Sequence, residues 1–591
     1  MHFDTNARST TVSAFESSLS RRRLLQVSAL TAAGAAVSAC TPGGSGTGGA
    51  NDKPKAAPHT LPPEVAGPPY PEGYVGPKAR DLKPFGDGSQ TFRVVVRQDA
   101  ANIGNWNTND ATKWFEQRTG VKVQFEQVLT TASDGSTDLT KINAMLASGQ
   151  LPDAFLGIPF TAAQLSLYGQ QGTFAALDDL IAVYAPATRD MMASYPDLRP
   201  INAATDNKLY TMPGVSDCYH CRSSNGRAWI RQSYLDKIGM DMPKTTEELR
   251  QVLLEFKGKN PSGKSGFVPF AAGVGNPLDN FFMQSFLYSP VGSATGGWLR
   301  LNDGKVQFVA NLDEWRQALR YLRQLNKDGL LTPEAFSMTA TELQQAGNKG
   351  LLGFVRAYWF GSFFTTVDLD KDAPWRDYVP VPPLKGPDGV QYAQWDWYFG
   401  SQPGLVITSA CKKPEQLVQW CDYQLDAVST MHLYDGLEKK NWEWAKEGEK
   451  GINGKQAIWA DVQWPAPAGT SWVLNEVMYR SLDFRGGQRV DPKAPTYEAS
   501  LWDASAAYEP FAEPKEMQLP PLIIPDDSAA QAADTATSIS QAVQQGMSNF
   551  ALGKKNIDND ADWKAYADSF TAMNLQSYLD VYQKAYDSRP K

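Results

Sequence analysis

The chain has 591 residues, a formal net charge of −8 and four histidines. An acidic balance disfavours nucleic acids and anionic membrane surfaces as partners, because they carry charge of the same sign. His2 and His59 lie near the amino terminus, which leaves His220 and His432 for a folded body. Two histidines are too few for a metal site with several histidine ligands, and they leave few candidates for a histidine base.

The first segment, 1–39, has the features of a bacterial export signal. Three arginines, Arg21–Arg23, precede an apolar run of small residues, as in a twin-arginine signal. The run is too short to span a bilayer. It ends at Cys40 in the order Val-Ser-Ala-Cys, which resembles a lipobox with an acylated cysteine. We expect lipid anchoring on the extracytoplasmic face of the cell membrane; the alternative is a buried helix with a chance cysteine.

Residues 40–85 are dominated by Gly, Pro, Ser, Thr and Ala. Such a composition buries too little apolar surface to offset the entropy of ordering, so it predicts a flexible tether. A coil of this length reaches about 40 Å on average. The tether would hold a folded body near the membrane without embedding it.

The body opens with alternating strands and helices. Thr91–Val96 predicts a β-branched strand, and a helix over 112–118 is followed by Gly120, which can end it in the left-handed conformation. A second strand over 121–125 would complete a right-handed parallel crossover. A further helix and a further strand are predicted at 139–148 and 151–156.

The alternation returns past residue 213. Thr245 and Glu248 have the spacing of a capping box, and Asn311 and Glu314 repeat it. The first box precedes an apolar stripe of helical period at Leu249, Val252, Leu253 and Phe256. The pattern predicts α/β architecture in two lobes.

The chain beyond residue 530 is predicted to be helical. Its aromatic residues recur at spacings of three and four, which is typical of a buried helix face. We expect a core position for Trp315 and for most of Trp563, Tyr566, Phe570, Met573, Tyr578 and Tyr582.

Several short sequence motifs occur in the same order as in a known protein family. They are Ser-Gly-Gln-Leu-Pro-Asp at 148–153, Leu-Tyr-Gly-Gln-Gln-Gly at 167–172, Asp-Asn-Lys-Leu-Tyr-Thr-Met-Pro at 206–213, and the segments 230–239 and 243–249. With them the chain resembles the extracellular solute-binding proteins of family 1, and among these the large lipoproteins associated with oligosaccharide uptake. The resemblance covers most of residues 90–590.

The resemblance implies an α/β fold of the periplasmic-binding-protein type, type II, with the ligand in a cleft between two lobes. It assigns 86–212 and 354–400 to the amino-terminal lobe and 213–353 and 401–591 to the carboxy-terminal lobe. The lobes would close around a carbohydrate by hinge motion, and the permease subunits of an ABC transporter would read the closed form. The expected protein is a monomer that needs no cofactor and catalyses no reaction. The crossings between lobes are expected near 210–213, 353–359 and 399–405.

Two segments of the chain can be compared with calcium-binding loops. Relatives often carry an acidic calcium loop where this chain has Asn260–Pro269, which offers no carboxylate and adds Lys264. Calcium requires several oxygen ligands, so we predict no metal site there. Asp558, Asp560 and Asp562 resemble the start of a calcium loop, but Trp563 replaces the required glycine, and a helix N-cap is predicted instead.

Sugars present apolar C–H faces and polar hydroxyls, so a sugar site combines aromatic rings with amide, carboxylate or guanidinium groups. The segment Gln394–Tyr398 offers both just before a predicted crossing. In a strand, Trp395 and Trp397 would share one face while Gln394, Asp396 and Tyr398 share the other, so one set alone can face the ligand. The alternative is a strand with two core tryptophans.

Other ligand candidates lie elsewhere in the chain. Trp359 is similar in position to an aromatic residue that the family often presents to sugar, although hinge packing is the alternative. Trp106 and Asn107 follow the first strand at its carboxyl end, where open α/β sheets usually bind ligands. Asp153, Trp229 and Arg231 complete the set, and an ion-pair role for Arg231 stays open.

The sequence Cys218-Tyr-His220-Cys221 suggests either a partial zinc site or a disulfide. No fourth zinc ligand is visible, and disulfides are the better expectation outside the cytoplasm. With Cys411 and Cys421, three pairings are possible, of which we favour Cys218 with Cys221.

Two other functions remain open at this stage. A carbohydrate-active enzyme would share the aromatic residues and the export signal, but it needs two carboxylates across the scissile bond, and no motif pairs them. A peptide-binding surface lipoprotein would also use aromatic residues in a wide cleft.

Overall fold

The computed structural model describes residues 57–100, 102–130, 138–290, 297–367, 370–398, 401–493 and 495–589. The expected signal peptide 1–39, Cys40 and the first part of the expected tether lie outside these residues. The strands are β1 (Thr91–Arg97), β2 (Lys122–Val128), β3 (Ala154–Leu156), β4 (Met212–Ser216), β5 (Ala228–Arg231), β6 (Val268–Ala271), β7 (Leu299–Asn302), β8 (Lys305–Phe308), β9 (Leu352–Arg356), β10 (Tyr378–Pro380), β11 (Ser401–Ile407), β12 (Trp442–Trp444), β13 (Trp459–Asp461) and β14 (Tyr479–Arg480). The helices are α1 (Asp110–Thr119), α2 (Thr140–Ser148), α3 (Ala162–Gln170), α4 (Asp178–Tyr184), α5 (Pro186–Ser194), α6 (Leu198–Asn202), α7 (Gln232–Ile238), α8 (Thr246–Lys259), α9 (Asp279–Phe282), α10 (Asp313–Lys327), α11 (Ala340–Asn348), α12 (Pro414–Asp422), α13 (Ala427–Tyr434), α14 (Leu482–Gly486), α15 (Tyr497–Tyr508), α16 (Asp526–Ala551), α17 (Asp560–Ala572) and α18 (Leu575–Ser588).

The first sheet has six strands in the order β14-β4-β11-β3-β1-β2. Its strands pair in parallel except β11, which runs antiparallel to β3 and β4. The unit β1-α1-β2 confirms the predicted crossover, and Gly120 ends α1 at φ 69° while its N–H donates to the carbonyl of Glu116. Val94 and Val96 enter one apolar layer and Val95 the other, because the sheet is covered on both faces.

The second sheet has four strands in the order β10-β5-β9-β6. Helix α8 packs beside it, capped at Thr245, and the predicted stripe is buried at Leu249, Val252, Leu253 and Phe256. The predicted cap at Asn311 is wrong, because α10 begins after Leu312 without a side-chain cap. Asp313 and Glu314 fill its first turn instead, where the helix dipole favours acidic residues.

We call the first sheet with its helices the first lobe and the second sheet with its helices the second lobe. The structure corrects the expected lobe boundaries after residue 353. The segment 354–400 supplies β10 to the second sheet, whereas β11 and β14 return to the first. Leu405 and Ile407 of β11 complete the apolar layer of the first core, a position set by pairing with distant strands. The carboxy-terminal helices α16, α17 and α18 belong to the second core.

The expected flexible tether is also corrected for its second part. From residue 57 to residue 85 the chain packs on the first lobe, where the N–H of His59 donates to the carbonyl of Val183 at 2.7 Å. The rings of Tyr70 and Tyr74 stack with centroids 4.6 Å apart, and Ala79 is buried against the same cluster. These apolar groups supply the burial that the overall composition of the segment concealed.

The helical carboxy-terminal region is confirmed, with Trp563, Tyr566, Phe570 and Tyr578 in the core. Trp315 is fully buried, as expected. Within the described residues, none of the helices combines the length and the hydrophobicity that crossing a membrane requires.

Candidate functional site

The chain passes between the two sheets at one end of the first sheet, and we call this edge the junction of the lobes. The parallel strands β3, β4 and β14 of the first sheet end at this edge, and the antiparallel β11 begins there. The chain passes from β4 to β5, and later from β10 to β11, through the loops at this edge. Ligands of α/β proteins usually bind outside the carboxyl ends of the strands, so this junction is the candidate position of a ligand site.

A row of four aromatic side chains crosses the junction, and we call it the aromatic run: Trp359, Tyr497, Trp464 and Tyr434. The ring centroids of Trp359 and Tyr497 lie 5.6 Å apart, and those of Tyr497 and Trp464 lie 6.1 Å apart. Trp464 then stacks on Tyr434 at 6.1 Å and an interplanar angle of 16°. The run therefore extends from the carboxyl end of β9 in the second lobe to the end of α13 in the first lobe.

Trp359 is the exposed end of this run, with 37% of its surface accessible. It directly follows the loop that leaves β9, and Gly361 makes room for its ring. A Cβ atom at Gly361 would lie 2.3 Å from the Cζ2 atom of Trp359, which is closer than any real contact. The absence of a side chain at residue 361 therefore allows the ring of Trp359 to occupy this position.

Polar groups at the other end of the run lack partners. The Arg480 guanidinium lies 3.7 Å from the ring centroid of Tyr434. Its Nε and Nη1 atoms, both carboxylate oxygens of Asp435 and one oxygen of Glu476 have no hydrogen-bond partner within the described part of the chain. All three residues are buried, at 1 to 2% exposure. Unmatched buried polar atoms are costly, so this group is a candidate position for a ligand.

A buried ion-pair group ties the junction together beside these atoms. Arg485 donates through Nη2 to Glu498 at 3.2 Å, and His220 contacts the same carboxylate. His220 belongs to the β4–β5 loop, Glu498 to α15 and Arg485 to α14. Burial lowers the pKa of His220, against the opposing effect of Glu498, so Arg485 supplies the positive charge of the group.

Burial also shifts the acidic groups near the run. It raises the pKa of Asp461 to about 7, with a further contribution from the charge of Glu498. Burial raises the pKa of Glu476 to about 7 as well, and it raises that of Asp435 well above its usual range. Several carboxyl groups therefore share a space that is poor in water.

A second aromatic cluster lies in the loops that join the lobes. Tyr219 packs on Trp502 at 4.3 Å between ring centroids and on Trp395 at 5.6 Å. Trp395 in turn lies 6.1 Å from Trp397, whose indole N–H donates to the carbonyl of Glu513 at 2.9 Å. These rings pack the crossings between the lobes.

The chain matches the sequence pattern of the bacterial extracellular solute-binding proteins over residues 87–429. The chain belongs to this family. It is similar to the fructooligosaccharide ABC transporter substrate-binding protein FusA of Streptococcus pneumoniae, with 28% identity over 319 residues, 52% of this chain and 56% of FusA. It is also similar to the polygalacturonan/rhamnogalacturonan-binding protein YtcQ of Bacillus subtilis, with 23% identity over 272 residues, 45% of this chain and 50% of YtcQ. The chain thus spans about half the length of these curated relatives.

Two solved structures share the fold. The complex of S. pneumoniae FusA with kestose gives a TM-score of 0.68 at 22% identity, over 84% of this chain and 99% of that one. The alginate-binding protein AlgQ2 gives 0.62 at 20% identity, over 85% and 100% of the two chains. They confirm the expected mixed α/β fold of a solute-binding protein.

In this solute-binding protein, the candidates that follow β1 serve the core of the first lobe. Trp106 is fully buried and donates its indole N–H to the carbonyl of Arg97 at 3.2 Å. Asn107 exchanges two hydrogen bonds with the backbone of Phe125. Asp153 accepts from the N–H of Arg93 at 2.8 Å and thus joins β1 to the start of β3. The structure brings none of these side chains to the aromatic run.

The candidates on β5 are structural as well. Trp229 is fully buried and donates to the carbonyl of Ala357 at 3.0 Å. Arg231 pairs with Asp377 at 2.6 Å and donates to the hydroxyl of Tyr234 at 2.8 Å, which is the ion-pair alternative noted for it.

The segment 394–398 is a loop with a turn rather than a strand. Gln394 is buried and donates to the carbonyl of Ser289, and Trp395 is buried beside Tyr219. Asp396 accepts from the N–H of Tyr398 at 2.9 Å. The two tryptophans therefore belong to the cluster at the crossings, and Trp359 is the candidate that lies in the aromatic run.

Cys218 and Cys221 form a disulfide with their Cα atoms 5.2 Å apart, the pairing favoured from the sequence. Together with His220, they place three possible metal-ligand atoms within 4.8 Å, but disulfide sulfurs are not thiolates and bind metal poorly. In the Asn260–Pro269 loop, the ammonium of Lys264 donates to the carbonyl of Lys349 at 2.7 Å. The cap of α17 is Asn559, and the flanking Asp558 and Asp560 pair with arginines of α10.

Three members of the aromatic run were missed from the sequence. Trp464 stands in the loop Gln-Trp-Pro-Ala-Pro at 463–467, and a tryptophan in a proline-rich loop is a stronger functional signal than one in a helix stripe. Tyr497 follows the helix cap Thr496, which is visible in the sequence. Nothing local marks Tyr434, because its role depends on Trp464 and Arg480.

Proposed function

We propose that this chain is the ligand-capturing subunit of an ABC importer and that it binds an oligosaccharide at the aromatic run. The aromatic run carries the proposal, because it joins Trp359 of the second lobe to Tyr434 of the first. Aromatic faces stack on the apolar C–H faces of sugar rings, so a row of rings suits a chain of sugar units. Family membership and the similarity to FusA support this choice of ligand.

The unpartnered polar atoms suit the hydroxyl groups of such a ligand. A sugar hydroxyl donates one hydrogen bond and accepts others, so it can satisfy Asp435 and Arg480 at the same time. Binding at this position would remove the cost of leaving both groups unmatched.

Ligand binding would also favour closure of the lobes. The aromatic run uses side chains of both lobes, so a sugar that contacts its whole length binds the closed arrangement better than an open one. The two permease subunits of the importer would then recognise the closed form. The protein needs no catalytic group for this role.

Export and anchoring complete the proposal. The arginines at 21–23 would direct export through the twin-arginine route, and acylation of Cys40 would hold the mature protein on the outer face of the cell membrane. Residues 41–56 would separate the anchor from the part that packs on the first lobe.

The test is a binding titration with the chain that begins at residue 40 and carries Cys40→Ala to prevent acylation. Tryptophan fluorescence and the melting temperature are followed against a panel of neutral oligosaccharides, acidic oligosaccharides and peptides. A native-state ligand raises the melting temperature by mass action. We expect saturable binding of a sugar that Trp359→Ala weakens and that the control Trp444→Ala, in β12 outside the run, leaves unchanged.

Other outcomes would overturn the proposal. Cleavage of a bound sugar would make the protein an enzyme, and a response to peptides alone would remove the carbohydrate assignment. Sugar binding that survives Trp359→Ala unchanged would place the ligand elsewhere.

A further inference from the structure

A turn at residues 473–474 of the first lobe has an unfavourable backbone conformation. Val473 and Leu474 both have positive φ angles, at 39° and 62°. Side chains make this region costly, and a β-branched residue such as Val473 is a clear outlier in it. Backbone of this kind persists where the surrounding structure holds it in place, and it is concentrated at functional sites. The turn is therefore a candidate functional segment.

Hydrogen bonds fix both ends of the turn. The Nδ2 atom of Asn475 donates to the carbonyls of Trp472 and Val473, both at 2.7 Å. Ahead of the turn, the indole N–H of Trp472 donates to the hydroxyl of Thr112 at 2.9 Å in the core of the first lobe. Behind it, the Oε2 atom of Glu476 accepts from the N–H of Asn475 at 3.1 Å. The two strained residues therefore stand between anchored neighbours.

The turn exposes a large apolar side chain. Trp472, Asn475 and Glu476 are buried, whereas 51% of the surface of Leu474 is accessible. A leucine in contact with water gains little from the hydrophobic effect, so packing does not offset the cost of its backbone conformation. A ligand that covers Leu474 would supply the apolar contact that this side chain lacks.

The turn lies beside the aromatic run. The backbone N–H of Trp472 donates at 2.6 Å to the carbonyl of Leu433, the residue that precedes Tyr434. On the other side, the carbonyl oxygen of Asn475 would lie 3.2 Å from a Cβ atom at Gly157, which directly follows β3. The turn therefore stands between the carboxyl end of β3 and the Tyr434 end of the run, at the junction of the lobes.

We propose that Leu474 contacts the bound oligosaccharide beside Tyr434 and that the strained turn holds this side chain in position before the ligand arrives. This inference rests on the proposed function and adds a binding residue to the same site. A leucine side chain carries no hydrogen-bonding group, so it would cover the apolar C–H face of a sugar unit and leave the hydroxyl groups to the polar residues. A contact surface that is already formed avoids the entropy cost of ordering a loop on binding.

The test separates the side chain from its backbone with two substitutions. Leu474→Ala and Leu474→Gly both remove the contact, but glycine alone adopts a positive φ angle without strain. Affinity for the oligosaccharide that binds most tightly in the titration panel is measured by calorimetry, and melting temperatures are measured without ligand. We expect about tenfold weaker binding in both variants. We expect Leu474→Gly to melt about 1–2 °C above Leu474→Ala, because it releases the strain.

Two further variants serve as controls. Leu474→Met keeps an apolar side chain of similar volume and should bind within about threefold of the unaltered protein. Asn574→Gly changes a residue with the same φ angle of 62°, at the start of α18 in the second lobe, and should leave the affinity unchanged.

The outcomes separate this inference from the proposed function. Unchanged sugar affinity in both Leu474→Ala and Leu474→Gly would overturn the inference and leave oligosaccharide capture standing. Equal melting temperatures of these two variants would show that the turn stores no strain and would overturn the preformed contact. An affinity loss in Asn574→Gly as large as that in Leu474→Gly would assign the effect to the glycine backbone and also overturn the inference. Absence of binding to any sugar of the panel would overturn the proposed function itself, whereas the difference in melting temperature does not depend on a ligand.

Discussion

Two groups of aromatic residues in this protein have similar rings but different polar surroundings. In the core of the first lobe, Trp106 and Trp472 pack with ring centroids 5.4 Å apart, and both indole N–H groups find acceptors, at Arg97 and Thr112. In the aromatic run, the rings adjoin carboxylate and guanidinium atoms that lack partners in the described residues. Unmatched buried atoms also occur in the packed core, as at Nε1 of Trp315, so the aromatic run differs in that a guanidinium and two carboxyl groups beside it lack partners together.

The largest expected effect is the loss of a core ring. Trp472→Ala removes a fully buried side chain that also packs on Phe125 and Trp420, so we expect a loss of ~3–5 kcal/mol in the free energy of unfolding. Urea unfolding followed by circular dichroism measures it. A loss below ~1 kcal/mol would show that this ring is not part of a tightly packed core.

The corresponding change in the aromatic run should affect binding instead. Trp359→Ala removes a ring that is 37% exposed, so we expect little change in stability but a 30- to 100-fold weaker sugar affinity, or ~2–3 kcal/mol. Calorimetric titration beside urea unfolding separates the two effects. If Trp359→Ala lowered the free energies of unfolding and of binding equally, the aromatic run would not differ from the core of the first lobe in this respect.

The acidic side of the run should respond to pH. Burial raises the pKa of Glu476 from 4.5 to about 7, so the folded state holds this proton more firmly than the unfolded state. Ionisation therefore costs stability increasingly as the pH rises from about 4.5 to about 7. We expect Glu476→Gln to stabilise the protein by ~2 kcal/mol at pH 8 and by progressively less toward pH 4.5. Melting curves across this range would contradict the assignment if the difference did not vary with pH.

The smallest expected effect is that of Arg231, a ligand candidate that forms an ion pair in the structure. Arg231→Ala breaks the half-buried ion pair with Asp377, so we expect a loss of ~1 kcal/mol in stability and no change in sugar affinity. A double-mutant cycle with Asp377→Asn isolates the pair. Weaker binding in Arg231→Ala would return this residue to the ligand site.

Local patterns were sufficient for much of the fold. The strand Thr91–Arg97, the left-handed glycine after α1 and the buried stripe of α8 all follow from side-chain period and turn chemistry within a few residues. The principle that ligands bind at the carboxyl ends of strands also predicted site residues in the loops there. It misassigned Trp106, because the carboxyl end of a strand offers both a solvent side and a core side, and the chosen side depends on Trp472.

The sequence by itself determined the α/β alternation, the helical carboxy terminus and the likeness to solute-binding proteins, and it predicted Trp359 as a ligand contact. Only the tertiary structure decided the sheet to which β11 belongs and the rings that join Trp359. The reason is distance along the chain. Asn109 donates to the carbonyl of Ser471 at 2.9 Å across 362 residues. The ring contact between Tyr497 and Trp359 likewise joins residues that are distant in the sequence. Contacts of this kind depend on the packing of whole lobes, which short-range periodicity does not encode.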